Sequence, residues 1–550
     1  MSQPARPMHP IAVVPLISSQ EGDEARWLGA LLARLLAQFL QGSGLPVVSY
    51  NDLASYLAEQ KVMLPLNAPA AQAIQQSLRL SALIHGRYTL DEEGKMLSLQ
   101  LIIEAPELPP VPLEASSPLA GFGRFIERVA LALIEQLRVP IDDSLREQVN
   151  RLPRPSSFEA FRQLARAQAA WSRGQNELAL ASVTSALSLD ADLEEAAALE
   201  VAIARAAGDT ATTREAFRRW SHIATRGQRP LVAAERLLML GHWLAAHAEW
   251  DDARRAYEDA RAIFQKEQDD YRLSQTLNNL ANLELVRENY QEAIQVYRRT
   301  LRTFESEEGG EPDAASTLHN LALAHRGLGQ QEEAERAIEQ ALALARRIQD
   351  TYLEARCLAQ RGTIYADTGR WMRAEADYTQ AARLLDVLGD DAAVAVVQCH
   401  QAILLKQQGA YERAERLMIQ ALRNLERLNV PHEQAILWLN LAGLYLAMGD
   451  YGRAWDYGER AHETLVRLKS AWADRARDLL DALASISEVA GESEEAPPAL
   501  PPSPAAPGSS NTTLRPAPDA TSGLAPNDVD NSPLPRDFEH PADTKPSQPD

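Results

Sequence analysis

Cysteine is almost absent from this chain of 550 residues, which contains only Cys357 and Cys399. Two thiols cannot form a disulfide framework or one of the multi-cysteine sites that hold structural zinc. Both cysteines lie in stretches where apolar residues recur at helical spacing. We therefore expect them to be small buried side chains rather than reactive or metal-binding thiols.

Long apolar runs and an excess of positive charge are also missing. No apolar stretch reaches the roughly 18 residues of a membrane-spanning helix, and the early run IAVVPLIS (Ile11–Ser18) lacks the length and the flanks of a signal peptide. The formal net charge is −21, whereas proteins that bind nucleic acids or anionic membranes in general need clustered Lys and Arg. These absences predict a cytoplasmic protein that binds neither nucleic acid nor membranes.

The residue patterns of common enzyme families do not occur. The one Gly-Lys pair, Gly94-Lys95, has no upstream glycine at the spacing of a phosphate-binding loop, and HExxH, GxSxG and CxxC are missing. The 11 histidines are scattered without regularly spaced acidic partners, which argues against a metal site. We expect a protein that is not an enzyme and that holds no metal and no cofactor.

Strand and helix signals alternate over residues 11–139. Short apolar runs predict strands at 11–18, 45–50, 81–90 and 95–105, and amphipathic stretches predict helices at 23–41, 51–60, 69–80 and 122–137. The order of IAVVPL, LPVVSYNDL, ALIHGRYTL and LSLQLII resembles the N-terminal α/β domain of TolB and its relatives. That domain is often found beside tetratricopeptide arrays in bacterial regulatory proteins, and the resemblance implies no catalytic residues.

The middle of the chain repeats itself with a period of about forty residues. In each unit an aromatic residue is followed three positions later by alanine, and Gln331 replaces the aromatic in one unit. The alanines are Ala253, Ala293, Ala334, Ala374, Ala414 and Ala454. Small residues at this position let the two helices of a unit approach closely. The preceding glycines, at 329, 369, 409 and 449, are placed where helix C-caps need a left-handed residue.

These residues and spacings resemble the tetratricopeptide repeat (TPR), in the long-helix variety of kinesin light chains and of scaffold proteins that bind extended peptides. Two further units, near 161–191 and 194–227, bring the predicted count to eight. We expect Ala471–Ala490 to form a capping helix, because the last repeat would otherwise expose an apolar face. From Gly491 onward, 14 prolines alternate with Ser, Ala, Asp and Glu, a composition typical of disorder.

The predicted fold class is an α/β N-terminal domain followed by an all-α TPR superhelical solenoid and a disordered C-terminal tail. The predicted boundaries are a disordered N-terminus at 1–10, the TolB-like domain at 11–139, a linker at 140–155, the TPR array at 156–490 and the acidic, proline-rich tail at 491–550. The tail is near enough in the sequence to reach the groove of the array, and the sequence leaves open whether it occupies the groove as an autoinhibitor.

A row of polar side chains follows the predicted first helices of the repeats. Each lies nine residues before a capping glycine, or before Glu288 at the equivalent place, and each can both donate and accept hydrogen bonds. An extended peptide presents alternating N–H and C=O groups, so such a row can hold its backbone, and the TPR resemblance implies the same role. With the polar neighbours of the row, the predicted peptide-binding residues are Asn278, Asn279, Asn282, His319, Asn320, Arg356, Gln360, His400 and Asn440.

Two other interpretations of these residues stay open. The amides can instead bridge neighbouring first helices and bind no partner. Asn282, Asn320 and Arg356 also fall at three positions of the carboxylate-clamp TPR domains. The first lysine of that clamp is replaced here by Asn278, however, and a later arginine by Gln360, and these departures argue against a clamp for chaperone tails.

Three functions fit these observations. The first is a non-catalytic scaffold or adaptor that binds an extended segment of a partner protein in the concave groove of the array. The second is a regulatory or sensor subunit whose N-terminal domain binds a ligand or an assembly partner. The third is a structural protein that associates with copies of itself.

Overall fold

A computed structural model of the chain describes residues 9–492, apart from positions 19, 92, 107–108, 140, 151, 153–154, 248, 429, 469 and 471. The described residues fall into two compact units, which divide between Leu237 and Leu238. We call them unit 1 and unit 2. The predictions for the N-terminal segment 1–8 and for nearly all of the tail, including its autoinhibitory role, lie outside the described residues.

Unit 1 begins with a small mixed sheet and five helices. The strands are β1 (Ile11–Val13), β2 (Ile17–Ser18), β3 (Ala82–Leu90), β4 (Met96–Glu104) and β5 (Val111–Pro118). The helices are α1 (Asp23–Gly42), α2 (Tyr50–Glu59), α3 (Ala68–Ser77), α4 (Phe122–Gln136) and α5 (Asp143–Asn150). The sheet order is β1-β3-β4-β5, with β2 also paired to β3; β1 and β2 run parallel to β3, and β4 and β5 are antiparallel to their neighbours.

Helices cover the two faces of this sheet unequally. Helices α1 and α4 pack against one face, where the buried hydroxyl of Tyr88 donates a hydrogen bond of 2.7 Å to the carbonyl of Ala25. On the other face, α2 and α3 bury Leu83 and its apolar neighbours. Along β4, buried side chains alternate with the exposed Gln100 and Ile102, so that part of this face stays open.

The sequence predicted most of these elements, with four differences. The strand predicted at 11–18 forms two short strands, β1 and β2. The segment around Val47 forms only an isolated bridge to Ile11 instead of a strand, and the neighbouring Pro46 has no N–H to donate to a ladder. Strand β5 was not predicted, since its sequence VPLEASSP lacks a strong apolar alternation. Helix α5 lies within the segment that the sequence analysis treated as a linker.

Among the described residues, seventeen helices follow α5 and form eight consecutive pairs and a final helix. The pairs are α6–α7 (Phe158–Trp171, Asn176–Leu189), α8–α9 (Glu194–Ala207, Thr210–Arg226), α10–α11 (Pro230–Ala246, Trp250–Lys266), α12–α13 (Asp270–Val286, Tyr290–Ser306), α14–α15 (Glu311–Gly327, Gln331–Arg347), α16–α17 (Thr351–Asp367, Trp371–Leu388), α18–α19 (Asp391–Gln407, Tyr411–Leu428) and α20–α21 (Pro431–Met448, Tyr451–Arg467); the final helix is α22 (Trp472–Glu492). A small sheet region followed by helices arranged as a TPR-like solenoid confirms the predicted fold class. None of the helices formed by the described residues has the length and apolar content of a bilayer span.

Small side chains let the helices of a pair approach closely. All six alanines of the repeating motif are fully buried in the second helices. In the first helix α16, a side chain on Gly362 would come within 2.8 Å of the Tyr378 ring of α17, so the tyrosine occupies the space that a larger residue would need. Of the motif aromatics, Trp371 is exposed.

The turns between helices also follow the predicted pattern. The capping glycines at 329, 369, 409 and 449 have φ between 71° and 78°, the left-handed conformation that a C-cap uses. Glu288, at the equivalent place in the α12–α13 unit, adopts φ of 62° without being glycine, and Gln349 adopts φ of 60° at the end of α15. Both carry the steric cost that a side chain brings to this conformation.

Within unit 1, the first helix of the array packs directly on the α/β region. The ring of Phe122 in α4 lies 5.2 Å from the rings of both Phe158 and Phe161 in α6. Arg162 and Arg166 of α6 donate to the two carboxylate oxygens of Glu24 in α1, at 2.7 and 2.9 Å. Burial alone would raise the pKa of Glu24, but the two guanidinium groups outweigh it and hold the pKa below its usual value.

Candidate functional site

The first helices of unit 2 lie side by side. Helix α12 contacts α14, and the same relation continues through α16, α18 and α20. Most residues of these helices are buried or half-buried. The second helices each have one charged, exposed face; they are α13, α15, α17, α19 and α21. The surface that the first helices share is therefore where the structure brings side chains from several repeats together.

The asparagines of α12 join this helix to its neighbours. Asn279 Nδ2 donates to Nε2 of His242, at 2.9 Å. Asn278 Oδ1 accepts a 3.1 Å bond from the Thr317 hydroxyl. Both asparagines are half-buried. Their positions agree with the interpretation in which the amides bridge adjacent first helices.

Asn282, a polar neighbour of the row, accepts two hydrogen bonds from other helices. Its Oδ1 accepts a 2.6 Å bond from the Tyr297 hydroxyl and a 2.9 Å bond from Nδ2 of Asn320. Tyr297 is fully buried, and this burial raises its pKa well above the usual value, so that its hydroxyl keeps the proton it donates. The bonds thus hold α12, α13 and α14 together through one oxygen atom.

The next three predicted site residues are mostly inside the protein. His319 and Gln360 are each 1% exposed, and Asn320 is 7% exposed. Arg356 Nη2 donates to His319 Nε2 at 3.3 Å. The amide atoms of Gln360 are buried and have no partner among the described residues, which carries a cost of about 1–3 kcal/mol per unsatisfied group. These residues present little surface to a peptide.

The last two predicted residues, His400 and Asn440, line a pocket of about 800 Å³, a volume that includes its open mouth. Asn440 Nδ2 donates to the Cys399 sulfur at 3.3 Å, and the His400 ring lies 5.9 Å from the Tyr378 ring. The pocket follows α16, α18 and α20. Its apolar lining includes Val396, Ile403, Leu404, Ile436, Leu437 and Trp472, and its polar and charged lining includes Thr363, Gln407, Arg326, Asp367 and Glu433.

Helix α22 does more than cap the array, because it supplies one wall of this pocket. Trp472 lines the pocket, and the Arg475 guanidinium lies 4.8 Å from the centre of the Trp472 ring. Arg475 Nη2 also donates to Glu288 Oε1, at 2.8 Å, in the α12–α13 turn. Trp472 and Arg475 were missed from the sequence because they lie outside the repeating pattern, which was the only signal used.

The site has the chemistry of a binding surface. Among residues 9–492, as far as they are described, no three His, Cys, Asp or Glu side chains come together to hold a metal ion. Both cysteines are buried, as predicted. What the pocket offers is apolar surface together with a few hydrogen-bonding groups, and a site of that composition suits an apolar side chain flanked by backbone amides.

Two models of known protein families match parts of the helical array. The family model of the tetratricopeptide repeat matches residues 272–347, and the model of the soluble NSF attachment protein, SNAP, matches residues 180–307. The tetratricopeptide match covers helices α12–α15. No curated protein sequence matches the chain.

Solved structures with TPR-like helices resemble this chain at low identity. BtubC (BKLC) from P. vanneervenii is 20% identical over 48% of this chain and 98% of its own, with a TM-score of 0.32. Aspartyl phosphate phosphatase F from Bacillus subtilis is 13% identical over 63% of this chain and 89% of its own, with a TM-score of 0.43. A signal transduction ATPase with a tetratricopeptide repeat sensor from Pyrococcus horikoshii is 14% identical over 64% of this chain and 54% of its own, with a TM-score of 0.38.

Proposed function

We propose that this protein is a non-catalytic interaction module that binds an extended segment of a partner protein along the first helices of unit 2. TPR-like solenoids generally mediate contacts between proteins, and the proposal adds where and how this chain does so. The observation that carries it is the pocket on α16, α18 and α20, in which apolar side chains surround the hydrogen-bonding groups of His400 and Asn440.

The pocket and the polar row have different tasks in this proposal. An apolar side chain of the partner that fills the pocket contributes about 1.5–3 kcal/mol. His400 and Asn440 bond the adjacent peptide backbone, at about 1 kcal/mol for each bond. Because micromolar affinity corresponds to about 8 kcal/mol, several such contacts must act together.

The remaining predicted residues divide between a secondary role in binding and a role in packing. Asn278, Asn279 and Asn282 are half-buried, and an amide has two donors and two acceptors, so each can add a bond to a peptide beside the bond it makes within the fold. Arg356 is half-buried as well. His319, Asn320 and Gln360 are buried, and we assign them to the packing of the first helices.

Selection of peptides on the full-length chain tests this function. Short random peptides displayed on phage are selected for binding, and the affinities of the selected sequences are measured by fluorescence anisotropy. We expect Ile403→Glu to weaken binding at least tenfold, because it places a charge in the apolar pocket. Met372→Glu is the matched control, since Met372 is 83% exposed on α17 and does not line the pocket.

Both variants are first checked for an unchanged melting temperature. Selected peptides that bind the wild type and the Ile403→Glu protein equally well would contradict the proposal. So would a selection that yields no binding peptide. A loss of affinity shared equally by Ile403→Glu and Met372→Glu would point to a general effect of negative charge instead of the pocket.

We also propose the division of the chain that the sequence predicts: a TolB-like α/β domain over 11–139, a linker over 140–155, a TPR array over 156–490 and a separate tail. The mixed sheet with its flanking helices supports the first assignment. A bacterial source and a cytoplasmic location belong to the same proposal, and they rest on the resemblance to TolB relatives and on the sequence composition.

A further inference from the structure

Lys406 of α18 lies beside the pocket and has no ion-pair partner among the residues that the structure describes. Its helix neighbours Ile403 and Gln407 line the pocket, and its ammonium group reaches across to Gly443 of α20. The side chain is half-buried, and burial, with no charged group contributing, lowers the pKa of Lys406. A cation in such surroundings is costly unless an anion approaches it.

The cation at the corresponding position of an earlier repeat, Arg326, has a carboxylate partner that Lys406 lacks. Arg326 and Lys406 each lie three residues before a capping glycine. Arg326 Nε donates to Asp367 Oδ2 at 2.6 Å, and Asp367 lies two residues before the glycine of the next first helix. The residue at the corresponding place beyond Lys406 is Ala447. The chain therefore has a cation in this position and no carboxylate to match it.

The surroundings of the ammonium group leave space for an anion. A Cβ on Gly443 would lie 3.3 Å from Lys406 Nζ and would meet no other atom within 4 Å. The absence of a side chain at Gly443 therefore keeps the ammonium group uncovered on that side. Gly443 thus leaves a space about the size of a methyl group beside the ammonium group.

We propose that Lys406 binds the side-chain carboxylate of an Asp or Glu in the partner segment. Ile403 and Lys406 are three residues apart on α18, a rise of about 4.5 Å along the helix axis, and an extended peptide rises about 3.3 Å per residue. The acidic residue is therefore one or two positions from the apolar residue that fills the pocket. This inference rests on the proposed function, and it adds the chemical class of the partner: an extended peptide with an acidic residue next to an apolar anchor.

A double-mutant cycle on the full-length chain tests this pairing. The probe is the tightest peptide from the phage selection, and three versions of it are synthesised. The first has the selected sequence, the second has its Asp or Glu changed to Asn or Gln, and the third has the selected sequence with an amidated C-terminus. The protein variants are Lys406→Met and, as a matched control, Lys266→Met, which removes one equal charge from an exposed site on α11. Affinities are measured at a single ionic strength because exposed charges are screened by salt.

We expect the selected peptides to be enriched in Asp or Glu beside an apolar residue. Lys406→Met should lower the affinity for the acidic peptide about tenfold or more, because a hydrogen bond to a charged group is lost. The amide peptide should bind the Lys406→Met protein and the wild type with equal affinity. Lys266→Met and C-terminal amidation should leave the affinity unchanged.

Each alternative result overturns a stated part of the inference. Peptides that depend on Ile403 but show no acidic preference would overturn the role of Lys406 and leave the proposed function standing. Loss of binding on C-terminal amidation would replace the side-chain carboxylate with the terminal one. If no peptide binds in a way that depends on Ile403, the proposed function and the inference fail together.

Discussion

The amide of Asn282 in α12 holds three helices together through one oxygen atom. That oxygen accepts bonds from Tyr297 and from Asn320, and both donors belong to groups that are buried in the protein. A buried donor that loses its acceptor keeps its full desolvation cost, so removal of the acceptor costs more than the bond itself contributes. The Asn282 amide therefore contributes more to the stability of the fold than to the binding of a ligand.

We expect Asn282→Ala to destabilise α12–α14 by about 1–3 kcal/mol, since the Tyr297 hydroxyl loses its acceptor inside the protein. Native-state hydrogen exchange of the α12, α13 and α14 amides measures the local free energy of opening. In the Tyr297→Phe background the same substitution should cost less, because the unsatisfied hydroxyl is gone. Equal costs in both backgrounds would show that the bond to Tyr297 does not stabilise this region.

Cys357 gives a second prediction at the scale of the residue. Burial raises the pKa of its thiol to about 12, and only the thiolate reacts with alkylating reagents. Relative to an ordinary cysteine, the thiolate population at pH 8 falls on the order of a thousandfold. In a Cys399→Ser variant we expect iodoacetamide to label Cys357 only after denaturation. Labelling of the native protein at the rate of a free thiol would contradict the buried position.

Spacing in the sequence predicted the polar row and its polar neighbours but not the hydrogen-bond partners of these side chains. Spacing from the capping glycines identified Asn279, Asn320 and Asn440 as related positions, because that spacing is a property of one helix. The partners Tyr297 and Thr317 come from other helices, and their direction depends on how the helices pack. Trp472 was missed for a different reason, since it lies beyond the last repeat and shares no pattern with the others.

At the scale of the element, helix ends are the most predictable feature of this chain. A capping glycine is a local requirement of one backbone angle, and all four predicted positions adopt it. Glu288 and Gln349 adopt the same conformation without a glycine, which the residue type alone does not reveal. The short bridge at Val47 and strand β5 depend on neighbours in the sheet, and a local pattern predicts such elements poorly.

The left-handed backbone of Gln349, at the end of α15, gives a prediction at the scale of the element. Its side chain is exposed, so substitution mainly changes the cost of its left-handed backbone. We expect Gln349→Gly to stabilise the end of α15 by about 0.5–1 kcal/mol, because glycine adopts positive φ without the steric penalty. Gln349→Ala keeps the Cβ and should give no such gain. The melting temperatures of the two variants, measured side by side, decide this, and a lower value for the glycine variant would contradict it.

At the scale of the whole molecule, unit 1 contains both the α/β region and the N-terminal helices of the array, α6–α9. Phe158 and Phe161 of α6 pack against Phe122, and Arg162 and Arg166 pair with Glu24. The sequence analysis placed a linker at 140–155, between these groups. Composition cannot show that the helix on the far side of a linker packs back on the domain before it.

A fragment that begins at residue 156 tests how far the array depends on this packing. Removal of the preceding residues exposes Phe158 and Phe161, and each buried aromatic of this kind contributes several kcal/mol, about 3–5 when truncated to alanine. We expect α6–α9 of the fragment to lose hydrogen-exchange protection relative to the full chain.

Glu24→Gln in the full chain is the milder comparison for that fragment. Glu24 and its two arginines are partly exposed, and ion pairs at such sites contribute about 0–1 kcal/mol, so only a small loss of protection is expected. Undiminished protection of α6–α9 in the fragment would show that the array is independent of the α/β region.

The central claim is that a partner segment binds along the first helices of unit 2, and hydrogen exchange with and without a selected peptide tests it most directly. The full-length chain is compared alone and with saturating peptide. We predict slower exchange in α16, α18 and α20 and at the start of α22, where most of the pocket residues lie. A smaller effect is expected in α17 and α19, which contribute only Tyr378 and Leu425 to the pocket. Protection confined to the N-terminal sheet, or to the exposed faces of the second helices, would contradict the claim.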